Sequence, residues 1–285
     1  MLPAPLRHGC PTLAEFAPPS TAKGLLRLLL LPLVAVDALG VLITFAATAL
    51  FRAAKPPYRF GEYVETMNFV GVGSLGIILL TGTFTGAVFA IQTSVAFSIF
   101  GAKALIGGSV ALALVRELAP TIGALMFAGR VGSAMTTELG TMRVTEQIDA
   151  LETMAVDPLH FLIAPRIIAC TLMMPLLATC FAAIGLGGAY LVSLSLLNLD
   201  RAQFLSRISI WLLPSDVLCT VVKGTVFGLI VGSIACYKGF YASGGSRGVG
   251  LATTRTVVEA SIAVLLADYV ITSIWLVVFP ARGGL

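Results

Sequence analysis

Four ionisable residues, Arg116, Glu117, Lys223 and Asp268, stand inside runs that are otherwise apolar. Charge at membrane depth is costly, so such residues are kept where they pair with one another or act on an ion, a proton or a polar substrate group. Two are cationic and two anionic, and they could neutralise one another across three helices. The sequence leaves their role open between a structural ion network, a coupling element that rearranges when a bundle opens, and a seat for a polar headgroup. A second charged group, Glu146, Asp149 and Glu152, follows directly on the apolar run that carries Arg116-Glu117. Five of the chain's fourteen acids fall within 138–157.

Several kinds of chemistry are excluded by inventory. No G-x-x-x-x-G-K-[ST] phosphate loop occurs, so nucleotide hydrolysis is not expected on this chain. The only histidines, His8 and His160, lie outside the apolar runs, and no His or Cys pair has metal-ligand spacing. Gly132-Ser133 lacks the G-x-S-x-G frame of a serine elbow and has no base nearby. The five cysteines, Cys10, Cys170, Cys180, Cys219 and Cys236, are scattered and read as buried apolar thiols. No catalytic residue, metal or cofactor is expected.

The elements that must position these residues follow from composition. The 285 residues are 58% hydrophobic and 11% charged, with a mean hydropathy of +0.98. A soluble domain carries about 25% charged residues, so the solvent of this chain is largely lipid. The net charge of +4 is a matter of loop asymmetry and not a nucleic-acid patch. Five runs, 68–98, 106–136, 163–197, 213–237 and 257–279, approach or exceed the ~20 apolar residues of a spanning helix. A sixth run, 25–51, is interrupted by Pro32 and Asp37 and is basic at both ends, which suits an interfacial helix over 25–56. Residues 1–24, rich in proline and without a cleavage signal, read as a disordered cytoplasmic tail.

Orientation follows from Lys and Arg. With the N-terminus and the loops 130–166 and 238–256 inside, twelve basic residues face the cytoplasm and four face outward. That bias predicts five spans with the N-terminus cytoplasmic and the C-terminus outside. Gly82-x-x-x-Gly86 and Gly224-x-x-x-Gly228-x-x-x-Gly232 put small residues on one helix face, as packing seams in lipid do.

Residues 145–155 predict a short helix with Thr145 as N-cap, Glu146 in the first turn and Pro158 as the stop. Ile148, Leu151 and Ala155 form its apolar side, while Glu146, Asp149 and Glu152 share another face. An acidic patch on the basic side of a membrane argues for a protein partner with basic residues. In the first span, Phe89, Thr93, Ala96, Phe97 and Phe100 make a stripe near the outer end. Such a stripe serves as bundle core, as interface belt or as the wall of a ligand cavity.

The run RELAPTIGALMFAGRVGSAMTTELGTMRVTEQIDALETMAVDPLHFLIAPR, with Lys223 and the block SRGVGLATTRTVVEASIAVLLADYV, resembles the MlaE/YrbE permease family. These are membrane subunits of ABC transporters for phospholipid and other lipids that work with MCE-domain proteins. The resemblance is strongest over 112–170 and covers 60–285, leaving 1–24 outside the match. It implies an all-α integral membrane protein, with an N-terminal interfacial helix, a five-span bundle over 60–285 and a short cytoplasmic coupling helix. It further implies a homodimer in a bacterial inner membrane, without an enzymatic site of its own. A separate ATPase would hold ATP and Mg and grip Glu146, Gln147, Asp149, Leu151 and Glu152; an MCE-domain protein and a STAS-domain accessory protein are further implied partners. Arg116, Glu117, Lys223 and Asp268 match the family's intramembrane charges, and Phe89, Ala96, Phe97 and Phe100 the part of the first span bordering the lipid cavity. The residues alone also admit a second mechanism, a proton-coupled secondary carrier of an amphipathic substrate with Glu117 and Asp268 as proton sites.

Overall fold

A computed structural model of the chain describes residues 40–52, 60–102, 105–197 and 200–278, and these form helices and short connections without a strand. In order they are α1 (Gly40–Arg52), α2 (Phe60–Val70), α3 (Val72–Ile99), α4 (Ile106–Ala113), α5 (Ala119–Phe127), α6 (Ser133–Val144), α7 (Gln147–Thr153), α8 (Ala164–Ser195), α9 (Arg201–Trp211), α10 (Pro214–Phe240) and α11 (Gly245–Val278). π-Helical turns at Leu114–Leu118 and Ala128–Gly132 join α4, α5 and α6 into one rod, and another at Leu159–Ile163 opens α8. Five rods are long and apolar enough to cross a membrane: Gly61–Ile99, Ile106–Val144, Leu159–Ser195, Pro214–Phe240 and Gly245–Val278. They are spans one to five of the expected all-α, multi-pass architecture.

The rods are longer than the hydropathy runs. Span two has 39 residues, about 58 Å at 1.5 Å per residue, against a hydrocarbon core of about 30 Å. Apolar composition marks where lipid ends, whereas backbone hydrogen bonds carry the helix onward. Much of the stretches expected as loops over 130–166 and 238–256 is therefore helix. Arg130 lies in a π turn, Arg143 on α6, and Arg247 and Arg255 on α11. The connection between spans four and five shrinks to 241–244, beside Gly244 and Gly245 at φ of +92° and +66°. Glycine takes that left-handed region without a Cβ clash. Helix α9 falls in a stretch for which the sequence predicts no helix; Asp200 starts it by accepting from the Gln203 N–H at 3.2 Å.

Both glycine repeats are seams within the chain. A Cβ on Gly86 would stand 1.9 Å from the Gly185 carbonyl oxygen, so spans one and three touch backbone to backbone there. A Cβ on Gly228 would stand 2.4 Å from the Cys170 carbonyl oxygen, which fixes span four on span three. In lipid, where no water-driven attraction holds helices together, such close contact supplies the dispersion energy.

Two main buried clusters and a smaller third one organise the interior among the described residues. The larger, with Phe127, Met174, Phe181 and Phe227, fills the middle of the bundle. The second lies at one end and joins Phe45 and Ala49 of α1 to Ile148 of α7 and to Leu139, Ile163, Ile167 and Cys236 of spans two to four. The Phe45 ring meets Tyr237 edge-on at 5.4 Å and lies beside Phe240 and Tyr241. α1 is the described part of the helix expected over 25–56; the remainder of that segment and the tail 1–24 lie outside the described residues.

Candidate functional site

The sequence Arg116-Glu117-Leu118-Ala119-Pro120 bends span two into its first π turn. Pro120 has no N–H to offer the Arg116 carbonyl four residues earlier. That oxygen instead accepts from Lys223 Nζ at 3.0 Å. Lys223, on α10, is fully buried. Its ammonium also donates to Glu117 at 2.7 Å and lies 2.8 Å from Asp268 Oδ1 on α11, a charge contact without hydrogen-bond alignment. Three spans are thus tied at one lysine. Thr272 adds longer contacts of 3.4 Å to the Glu117 carboxylate.

Arg116 does not join that lysine-centred group through its side chain. Its Nε donates at 2.6 Å to Asp216, which is 1% exposed. The other Asp216 oxygen accepts the Leu213 N–H at 2.8 Å and so caps the first turn of α10. The expected neutralisation of four charges among themselves is therefore corrected. Lys223 takes both Glu117 and Asp268, so Arg116 needs a third carboxylate, and Asp216 supplies it. Sequence reasoning passed over Asp216 because it stands at the edge of an apolar run, where an acid reads as a boundary. The combination Pro214-Ser215-Asp216 at a helix start was the usable signal.

The acidic segment forms α7, but later and shorter than expected. Thr145 is not its N-cap: its hydroxyl and its N–H both bond to the Thr141 carbonyl at 2.9 Å, which closes α6 instead. Glu146 occupies the cap at φ +60° and turns the chain. Ala155, also left-handed at φ +58°, follows the end of the helix and is exposed, so it is not part of the apolar side. Pro158 precedes the π turn that opens span three and does not stop α7. Ile148 is fully buried and Leu151 packs partly against the second core, while Glu146, Gln147, Asp149 and Glu152 are exposed. Arg143 holds Asp149 at 2.6 Å. Arg52 of α1 pairs with Asp157 just beyond α7.

The aromatic stripe divides. Phe89 and Phe97 pack on Ala90, Ile106, Val110 and Ala189, whereas Ala96 and Phe100 are exposed. Thr93 of the stripe is buried, and Phe100 lies past the last turn of α3, 81% exposed.

Other charges at the α7 end were not singled out from sequence. Arg166, 9% exposed, donates to Glu138 at 2.6 Å, and Lys238 donates to Glu259 at 2.8 Å. Arg130 donates to the Ser74 hydroxyl at 2.7 Å. Among the described residues no group of His, Cys, Asp or Glu is placed to hold a metal ion.

The chain is similar to known proteins over most of its length. A family model described as Permease MlaE matches residues 63–274. A probable ABC transporter permease protein of Rickettsia prowazekii is 40% identical over 239 residues, covering 84% of this chain and 92% of the relative. A probable ABC transporter permease protein of Synechocystis is 42% identical over 220 residues, covering 77% and 82%. The intermembrane phospholipid transport system permease protein MlaE of Haemophilus influenzae is 42% identical over 251 residues, covering 84% and 96%. A five-span bundle with this match across most of its length belongs to the MlaE permease family of ABC transporters.

Proposed function

We propose that this chain is the membrane subunit through which an ABC transporter moves phospholipid between a bacterial inner membrane and an MCE-domain partner, driven by a separate ATPase. The observation that carries the reading is the double-sided character of α7. Its outer face presents Glu146, Gln147, Asp149 and Glu152, while Ile148 is anchored in a core shared with α1 and spans two to four. A force applied to the outer face therefore reaches four helices at once. The relative from Haemophilus influenzae is named for intermembrane phospholipid transport, and that substrate is carried over here.

Arg52, Arg143, Arg166 and Lys238 gather at the α7 end, which favours a cytoplasmic position for it. The C-terminus is then periplasmic. Two copies pair to enclose the lipid path, with Phe89, Ala96, Phe97 and Phe100 at its periplasmic end. ATP and Mg belong to the ATPase, a STAS-domain protein is a further accessory, and this chain carries no catalytic group. The charge pairs hold spans two, four and five in register. In the proton-coupled alternative Glu117 and Asp268 would exchange protons; in the structure both lie against one buried ammonium.

Glu146→Lys, Asp149→Lys and Glu152→Lys together are expected to release the ATPase on co-purification. Thermal unfolding should change little, since the one ion pair broken, Arg143–Asp149, is exposed and worth about 1 kcal/mol or less. An ATPase retained at the wild-type ratio would overturn the coupling role of α7.

A further inference from the structure

Arg130 is a cation that the site described above leaves unused. It lies in the second π turn of span two, inside the run FAGRVGSA. Of the cations on the five spans that are buried or half-buried, Arg116, Arg143, Arg166, Lys223 and Lys238 each pair with a carboxylate. Arg130 pairs with none among the described residues. Neutral groups hold it instead. Its Nη1 donates to the buried Ser74 hydroxyl at 2.7 Å and to the Phe69 carbonyl at 3.4 Å, and its guanidinium lies 5.7 Å from the centre of the Phe69 ring. These contacts fix its position without cancelling its charge. Nε and Nη2 have no acceptor among the described residues.

Depth and surroundings define what this charge faces. Arg130 stands about 9 Å, at 1.5 Å per residue, inside the end of the apolar run 106–136 nearer α7. A long basic side chain at that depth reaches the level of lipid phosphates. Beside it, Phe69, Gly73, Gly76, Leu80 and Phe84 follow at helical spacing on an exposed face of span one. A Cβ on Gly73 would stand 2.5 Å from Arg130 Nη2, so that nitrogen lies over an exposed glycine. A Cβ on Gly76 would meet nothing within 4 Å. The two glycines leave a shallow apolar trough between Phe69 and Leu80, with an unneutralised guanidinium at its α7 end.

We infer that Arg130 seats the phosphodiester of a glycerophospholipid in the leaflet on the α7 side, with an acyl chain laid along the trough at Gly73 and Gly76. The unesterified oxygens of a phosphodiester carry its negative charge and can accept from Nε and Nη2 as a fork. That group is common to glycerophospholipids, so the seat reads the phosphate and not the headgroup beyond it. The site stands at the opposite end of span one from Phe97 and Phe100. The inference rests on the lipid-permease reading and deepens it, naming where lipid of that leaflet docks on the bundle.

The test uses the full chain in vesicles carrying a phosphatidylcholine with a photoactivatable group on one acyl chain, and crosslinked peptides are quantified by mass spectrometry. Crosslinks should appear over residues 69–84. A diacylglycerol with the same acyl group should give about fivefold fewer there, the upper range of one partly exposed ion pair. Arg130→Gln keeps a donor for Ser74 but removes the charge, and should lower the phosphatidylcholine yield over 69–84 by the same factor. The yield over 89–100, at the other end of the span, should stay unchanged in that variant. Arg130→Lys, which keeps the charge, should retain most of the yield. Equal yields from the two lipids on the wild-type chain overturn the inference whether or not the variants fold, and so does an undiminished yield in Arg130→Gln. Loss of the phosphatidylcholine crosslinks on adding soluble glycerophosphocholine would make the ligand a free phosphodiester and also overturns it. ATP-driven lipid transfer by the wild-type chain with its proposed partners is measured separately: transfer alongside equal crosslinking refutes the seat and leaves the permease reading intact.

Discussion

Lys223→Met is expected to destabilise the bundle by about 3–5 kcal/mol, the usual cost of removing one member of a buried ion pair. The reason is specific to this lysine. Its ammonium is fully buried and is the common partner of Glu117, Asp268 and the Arg116 carbonyl. Methionine keeps the volume but strands two carboxylates and a carbonyl that Pro120 has already deprived of its helical donor. Loss should appear as a lower unfolding temperature in detergent and a lower yield of monodisperse protein. Adding Glu117→Gln and Asp268→Asn to Lys223→Met should recover most of the stability, because neutral groups need less compensation at that depth. If the neutral triple variant folds but no longer transports, the charges serve the transport cycle beyond packing. Wild-type stability in Lys223→Met alone would show that the lysine does not organise the three spans.

Gly86→Val is expected to cost about 3 kcal/mol or more, at or above the top of the range for over-packing. A Cβ there meets the Gly185 carbonyl oxygen at 1.9 Å. Backbone cannot rotate aside as a side chain does, so spans one and three must separate along the seam that also includes Gly82 and Gly188. Gly76→Val serves as the matched control, since a Cβ at Gly76 meets nothing within 4 Å. Comparable unfolding temperatures for the two variants would refute the seam.

What the sequence made legible were features that break a local rule. Arg116, Glu117, Lys223 and Asp268 stand out because each interrupts an apolar run, and the glycine repeats because small residues recur at helical spacing. The partners were not legible. Pairing depends on which helix faces meet, and Asp216 was hidden by its place at a helix start. The five spans followed from length and hydropathy, but their ends did not, because helices such as α6 and α11 continue on backbone hydrogen bonds after lipid contact ends. The existence of α7 was readable from its acids and apolar positions. Its start was not: Thr145 has the chemistry of a cap but bonds backward to Thr141, and the turn falls on Glu146. The stripe from Phe89 to Phe100 was regular in sequence, yet Phe89, Thr93 and Phe97 find neighbours while Ala96 and Phe100 are exposed.

In the proposed function, lipid movement through this bundle is driven by nucleotide hydrolysis on another chain acting through α7. The most direct test is transfer of a fluorescent phospholipid from vesicles holding this chain with the ATPase and the MCE-domain protein proposed as its partners. Transfer should require hydrolysable ATP, persist when a proton gradient is collapsed, and vanish in the Glu146→Lys, Asp149→Lys, Glu152→Lys variant. Transfer that proceeds without nucleotide and scales with the proton gradient would instead make the bundle a proton-coupled carrier.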